Sequence, residues 1–543
     1  MKPYLFNGRF RVTAGAQFFN NGRLNFGVNP TDTDGTYRTL FGPVFSAGWT
    51  CYRECDSNVS LALCRLLGCI EANAFNDAVV RAFQGISCRD HMPVLRDFFA
   101  GVAHFFDDFV NCLDSMQEHV TDPHIKRDLR IRTHQEMLEE GKLERHFGTQ
   151  SRRTVKAKMK KQEKAKARPV DLTKEKWPRM IFDVGCDASL VGSVLLGMVK
   201  EAMAFEPMDY LGCLISFVKS PEPQVLASTF HHLIHPTRPM EFVCFSDDAA
   251  MNMHIGNARV KMNTDISQAD ASYTPELFEQ AHDILPPNTH HTFRRLIDQC
   301  KLSFKVFSCG DRKIFVVFSP TGVVLYSGST LTTFLNTLAN FNIAMAFAEA
   351  LADGLITKPD DLIGIARAAG YIITIDVCEY DEDLQFLKHS PVLGTDGNWH
   401  PLLNAGVLLR ASGMCMGDLP GSGDIATRGL AFQRGLLQGA YPYAHFQLLD
   451  ALHASAGIGE VHLSKEFQYK VIGSYPQFRV DEASFLRRYR SNQHELNVLC
   501  EFIMFGLGYS VHSRLSESIL SKDYGLSAQE YQRPNFFFGP ERE

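Results

Sequence analysis

The clearest hydrophobic pattern lies in the middle of the chain. Met240-Glu-Phe-Val-Cys-Phe-Ser-Asp-Asp-Ala-Ala-Met is an apolar strand, a tight acidic turn and a second short apolar run. It predicts a β-hairpin with Asp247 and Asp248 at its tip. Arg259-Val-Lys-Met-Asn-Thr-Asp265 reads as a further strand ending in an acid. Thr332 to Phe347 reads as a helix entered from a Gly-containing loop. From Phe242 to about Leu387 strand and helix signals alternate, as in an α+β or α/β lobe. After Trp399 the pattern is longer and more helical, with Gly-rich breaks at Gly417 to Gly423 and Gly429 to Gly439. Towards the N-terminus, Asn58 to Phe83 and His91 to Gln117 read as two helices. Asn20-Asn21-Gly22 and Asp34-Gly35 are turn signals between strand-like runs.

Bulk properties narrow the class. A chain of 543 residues suggests several lobes. With 45% hydrophobic and 21% charged residues it is built for burial, not disorder. The fourteen cysteines are scattered without C-x-x-C pairs, and read as reduced, packed thiols. The N-terminus has no signal-peptide pattern, and no apolar run approaches the length of a membrane span. The net charge of −6 hides one strongly basic stretch, Arg152 to Arg179, with twelve Lys or Arg against three acids. Such a run is either a solvated helix or linker, or a surface for polyanions. It ends in an apolar, strand-like entry, Trp177-Pro-Arg-Met-Ile-Phe182.

The acids are the candidate chemistry. Nucleotidyl transfer uses two divalent cations about 4 Å apart. Magnesium prefers oxygen ligands, so carboxylates at the ends of adjacent strands suit it. Pairing the predicted strands would bring Asp247 and Asp265 together. Taken singly, Asp-Asp is equally an exposed turn, and Asp265 equally a cap for a helix beginning near Thr274-Pro-Glu.

Ser327-Gly328-x3-Thr332-x3-Asn336 changes the weighting. Thr332 and Asn336 are four apart and share a helix face. With Asp265-x4-Asp270 and Ser246-Asp247-Asp248, this string resembles motifs B, A and C of viral RNA-dependent RNA polymerases. The resemblance covers roughly residues 150 to 400. It implies that Asp247 and Asp265 bind two Mg2+ (or Mn2+) ions, with Asp248 an auxiliary ligand. It implies that Asp270 and Asn336 recognise the ribose 2′-hydroxyl, with Ser327, Gly328 and Thr332 forming the nucleotide-side loop. The basic stretch then resembles motif F, with Arg179 as the triphosphate contact and Lys174 and Lys176 as helpers. Lys161 and Lys388 become candidates for primer and template, Lys388 within a motif E-like Phe386-Leu-Lys-His389. Asp361 to Ile375 resembles the helix and strand of motif D, but Gly370 to Phe386 holds no lysine. Lys358, Lys388, His389 or water remain as general acid.

The order here is C, A, B, not the common A, B, C. No acidic hairpin follows motif B: Asp360-Asp361 comes after Lys-Pro and reads as a helix start. The order is similar to the permuted polymerases of birnaviruses and permutotetraviruses. Those relatives often carry Asn where this chain has Asp248. The expectation is an α+β right-hand polymerase of fingers, palm and thumb with permuted palm connectivity. Its divisions are 1–150 (N-terminal extension and part of the fingers), 151–240 (fingers with the basic entry segment), 241–400 (palm, with a fingers insertion near 275–325) and 401–543 (helical thumb and tail). Within the palm, motif C lies near 242–251, A near 261–272, B near 326–342 and D and E near 360–390. Its partners would be RNA template and product, nucleoside triphosphates, and capsid or other viral proteins. It would work in the host cytoplasm, inside a virion or in a replication complex. The alternatives are a reverse-transcriptase-like enzyme and a catalytically silent RNA-binding protein.

Overall fold

The structure, a computed structural model, describes residues 2–6, 10–14, 19–20, 23–24, 44–45, 74–114, 155–159, 180–184, 186–219, 222–307, 315–412, 425–440, 444–461, 477–505, 510–511 and 513–525. The chain begins with β1 (Lys2–Phe6) and β2 (Phe10–Ala14), followed by the long helix α1 (Ala74–Gly101). Next come β3 (Val155–Met159), β4 (Met180–Asp183) and α2 (Cys186–Phe205). β5 (Met208–Tyr210), β6 (Cys213–Phe217) and α3 (Pro223–Ile234) lead into β7 (Met240–Phe245), β8 (Asp248–Ile255) and β9 (Ala258–Ile266). Then follow α4 (Ala269–Ser272), α5 (Pro275–Asp283), α6 (His290–Gln299), β10 (Phe304–Phe307) and β11 (Phe315–Pro320). The central helix α7 (Thr332–Ala352) precedes α8 (Asp361–Ala368), β12 (Ile373–Val377), β13 (His389–Leu393) and β14 (Trp399–Leu403). Helices dominate beyond that, including Gln447–Ala456, Glu482–Arg488, Gln493–Phe505 and Arg514–Tyr524.

The fold is mixed α/β around a central mixed sheet of order β12-β9-β8-β7-β6-β5. Its one parallel pair, β6 with β7, is joined through α3, as a parallel crossover requires. β7 is buried along most of its length because both faces are covered. Phe242 and Cys244 pack on the α7 side, and Val243 packs against Leu226, Phe230 and Leu233 of α3. A second sheet has the order β1-β2-β11-β10-β3-β4. Among the described residues no helix is long and apolar enough to cross a membrane, and Cys88, Cys213, Cys244, Cys300, Cys378 and Cys500 are buried free thiols.

Three expectations change. The two N-terminal helices are one: α1 runs through Gln84 to Asp90, while residues 58–73 lie outside the described part. Tertiary bonds hold that middle section. Gln84 donates to Gly370 O (3.1 Å) and Ser87 to Ala369 O (2.7 Å). Part of the basic stretch is a strand, β3, with Val155 and Ala157 buried. Its alternation was hidden by the lysines between them. Asp265 is no helix cap, since β9 runs past it to Ile266 and α4 starts at Ala269. By contrast, Asp361 does start a helix, accepting from the backbone N–H groups of Thr357 and Lys358.

The segment Asp381 to Gln385 brackets the sheet to the C-terminal helices. Asn263 of β9 donates to Asp383 O (2.9 Å) and accepts from Gln385 N (2.8 Å). On the other side Arg488, 5% exposed, donates to Glu382 O (2.9 Å) and pairs with buried Asp523 (2.9 Å). Arg490 forks onto the Asp383 carboxylate at 3.0 and 2.7 Å. Burial pushes Asp383 up, but Arg490, the Tyr380 N–H and Lys522 outweigh it and hold the carboxyl at about 2.

That depressed value stabilises the fold above the ordinary carboxylate value near 3.8, and the contribution is lost as pH falls through about 2. Arg490→Ala is therefore expected to cost about 1.5–3 kcal/mol near neutrality. Urea unfolding across pH should show that penalty shrinking on acidification; a pH-independent penalty would contradict it. Gly370 has φ +97°, and a Cβ there would lie 2.2 Å from the Gln84 backbone. Gly370→Ala should destabilise by at least about 2 kcal/mol in the same measurement.

Candidate active site

Three strings distant in sequence meet at one end of the central sheet. β7 and β8 form a hairpin closed by Ser246 and Asp247, with Phe245 paired to Asp248. Ser246 has φ +57°, a left-handed conformation uncommon outside glycine. β8 and β9 are antiparallel, and their register sets Asp248 directly opposite Asp265. Residues so opposed share a sheet face with Cβ atoms about 4.5–5.5 Å apart. Asp247 and Asp265 are exposed and Asp248 is half-buried. The set is therefore all oxygen donors, which suits a hard divalent cation.

α7 fixes the turn. It is buried along most of its length, yet carries Asn and Thr in that apolar surface. Those residues are spent on Ser246. Ser246 N donates to Thr337 Oγ1 (3.1 Å), Asn340 Nδ2 donates to Ser246 O (2.7 Å), and Asn336 Nδ2 donates to Ser246 Oγ (3.1 Å). Asn336 is 2% exposed, and its Oδ1 has no hydrogen-bond partner.

The loop before α7 is equally constrained. Thr332 donates to Tyr326 O (3.2 Å), so its hydroxyl closes the loop. Phe182 N of β4 donates to Ser327 O (2.9 Å). Gly328 has φ +106°, and a Cβ there would fall 2.6 Å from Phe182 O. Glycine is thus required twice over, by conformation and by contact. Ser327 Oγ donates to the Asp270 carboxylate, tying the loop to α4.

A second turn supports Asp248. Leu387 and Lys388 have φ +51° and +63°, closed by reciprocal bonds between Phe386 and His389 (both 2.9 Å). Two successive non-glycine residues in this region cost about 1–2 kcal/mol each. The turn is held by His389 Nδ1 on Leu387 O (2.8 Å) and by Asn404 N donating to Lys388 O (2.8 Å). It aims Leu387 N–H at Asp248 Oδ2 (3.2 Å). Burial pushes the Asp248 carboxyl up from 3.8, Lys388 pulls it back, Asp247 adds to the rise and Leu387 N–H opposes it. The Lys388 ammonium also lies 5.3 Å from the Tyr524 ring centroid.

The structure thus gathers Asp247, Asp248, Asp265, Asp270, Ser327, Gly328, Thr332, Asn336 and Lys388 in one region. Arg179, Lys174, Lys176 and Lys161 lie outside the described residues. β4, which begins one residue after Arg179, is the strand bonded to the Ser327 loop. The three aspartates do not bring one carboxylate oxygen each within 4.8 Å of one another; among the described residues, Glu279, His282 and Asp283 of α5 bring one ligand atom each within that distance. Glu279 there is already paired with Arg294 (2.8 Å). Thr337, Asn340 and Leu387 were missed in the sequence. Polar residues at helical spacing in the apolar α7 were the available signal for the first two. Leu387 carried none, since no glycine or asparagine marks its turn.

No family model matches the chain, and no curated protein matches it. Among solved structures it is similar to the RNA polymerase VP1 from Infectious Pancreatic Necrosis Virus. Sequence identity is 12% and the TM-score 0.39, over 74% of this chain and 50% of that one. The chain spans about half the length of that polymerase. At that score the likeness is too slight to establish a shared fold.

Thr337→Val removes the acceptor for Ser246 N without changing side-chain shape. It should cost about 1–3 kcal/mol in urea unfolding and speed amide exchange at Ser246. Unchanged exchange at that amide would remove α7 from the support of the turn.

Proposed function

We propose that this chain is an RNA-directed RNA polymerase whose palm elements run in the order acidic hairpin, motif A strand, motif B helix. The observation that carries the reading is the meeting of those three strings. Asp248 faces Asp265 in register, Asp270 is bonded to Ser327, and Asn336 is bonded to the acidic turn. Each string alone has an ordinary structural explanation. Their convergence supports a common task.

In this reading Asp247, Asp265 and Asp248 hold two divalent cations. Such ions, when bound, favour the nucleophilic alkoxide and neutralise charge on the triphosphate. The primer 3′-oxygen attacks the α-phosphorus, forming the new P–O bond as the bond to pyrophosphate breaks. The protein's share is placement and charge. Asn336 Oδ1, buried without a partner, is an acceptor positioned beside the acids and suits a ribose hydroxyl. Asp270 is the second sugar contact. Gly328 lets the loop backbone approach β4 closely, so Arg179 would enter next to the nucleotide, with Lys174, Lys176 and Lys161 along the same segment. Lys388 carries its charge beside Asp248, where a primer phosphate would pass. Residues 241–400 would be the palm, 151–240 the fingers and the helices after 401 the thumb, with 1–150 an N-terminal extension and part of the fingers. RNA, nucleoside triphosphates and other viral proteins would be the partners, in host cytoplasm or inside a particle.

Primer extension on an RNA template with Mg2+ or Mn2+ tests this. Wild type should add ribonucleotides and lose activity with EDTA. Asp247→Ala and Asp265→Ala should each lose about a hundredfold or more. Activity surviving in both variants would sink the site. RNA binding without extension would favour the silent RNA-binding alternative, and equal use of deoxynucleotides would argue against an RNA product.

A further inference from the structure

β7 and β8 carry two buried polar side chains that the reaction described above does not use. Glu241 is 2% exposed and Asn252 1%. They face each other in register across the hairpin, so they share one sheet face with Cβ atoms about 4.5–5.5 Å apart. One half of each head group is fixed by the C-terminal end of α3 and the loop after it. Glu241 Oε1 accepts from Thr237 N (2.6 Å), and Asn252 Nδ2 donates to Leu233 O (2.7 Å). The other halves, Glu241 Oε2 and Asn252 Oδ1, are buried acceptors with no hydrogen-bond partner. Two such oxygens at paired positions, one of them on a carboxylate, are destabilising unless something positive meets them.

His232 reaches the pair from the last turn of α3. Its Nδ1 is 4.0 Å from Glu241 Oε2, too far for a hydrogen bond, and its side chain is 57% exposed. Tetrahedral zinc, with bonds of about 2.0–2.2 Å, sets its ligand atoms roughly 3.4 Å apart, so the exposed ring need shift by only about half an ångström. The last carbonyls of the helix add partial negative charge there. The Glu279, His282 and Asp283 group of α5 is less open to an ion. Arg294 forks onto Glu279 at 2.8 and 3.2 Å, and His282 Nδ1 is hydrogen-bonded to Asp283 (2.7 Å).

We propose that Glu241 Oε2, Asn252 Oδ1 and His232 Nδ1 form a structural zinc site, with water as the fourth ligand. The mixed nitrogen and oxygen set suits zinc, and the imidazole disfavours magnesium. The ion clips the base of the acidic hairpin to α3. Glu241 and Asp247 are six positions apart along the chain, roughly 20 Å of extended strand. The site is therefore separate from the acids at the tip, and nothing in it depends on what those acids do.

The test is calorimetric titration of the full chain with Zn2+ in excess Mg2+, which fills sites made of oxygen alone. Wild type should bind zinc, and the ion should raise its melting temperature. His232→Ala and Glu241→Gln should each weaken that binding by about a hundredfold or more and remove the melting shift. Without zinc, Glu241→Gln should melt at the wild-type temperature or above it, because its amide can donate to the open Asn252 oxygen. If Glu241→Gln does not fold, the exposed His232→Ala decides alone. The control is the double variant His231→Ala/His235→Ala. Those two rings, 5.0 Å apart between centroids on the same helix, are the competing zinc pair. The control should bind zinc as wild type does. Binding that survives in His232→Ala overturns the inference, and its loss in the control instead places zinc on the exposed pair. A wild type that binds no zinc overturns it too, and Glu241 and Asn252 then share a buried water or a proton.

Discussion

The grip of α7 on Ser246 is the constraint from which the site follows. Like charges placed opposite each other in a sheet repel, and here Asp248 opposes Asp265 with Asp247 adjoining. A free two-residue turn would open or fray to separate them. Instead, Thr337, Asn340 and Asn336 take up the N–H, carbonyl and hydroxyl of Ser246. Every polar group of that residue is thus spoken for by one rigid helix. Because α7 is itself buried, the turn inherits the rigidity of the core. The left-handed backbone at Ser246 is tolerated for the same reason.

A second line of support runs from the far end of the chain. The carboxylates of Asp383 and Asp523 are held by Arg488, Arg490 and Lys522. That charged lattice fixes Asp381 to Gln385, which leads directly into the strained Leu387–Lys388 turn beside Asp248. Breaking such a lattice by removing one partner leaves the other charge uncompensated. The C-terminal helices are therefore coupled to the turn whose N–H meets one acid, through side chains over a hundred positions apart in sequence.

The hairpin, the β9 strand and α7 were legible because their hydrophobic periods are clean and their boundaries chemically marked. The Lys-Pro-Asp-Asp start of α8 was legible as a helix start. The rest failed for identifiable reasons. Lysines masked the period-two pattern of β3, since charge dominates a composition reading of that stretch. α1 crosses Gly85 and Pro93 because Gln84 and Ser87 are bonded to the chain around Gly370, which no local propensity reports. Leu387 and Lys388 adopt left-handed backbone without a glycine to announce it. The acids themselves were visible, but their register was not. That Asp248, the second of the pair, faces Asp265 is a property of strand pairing.

The placement of the hairpin directly before β9 has a consequence for how the molecule assembles. Every carboxylate from Asp247 to Asp265 lies in one uninterrupted antiparallel meander, so their juxtaposition needs only local chain closure. During synthesis that meander emerges ahead of α7, on which Ser246 depends. The nascent chain would therefore present a crowded acidic hairpin with no helix to hold it. An arrangement in which α7 came first would meet the acids with their support already made. Reordering the same parts thus leaves the finished geometry alone and shifts the most fragile moment of folding to the interval between β9 and α7.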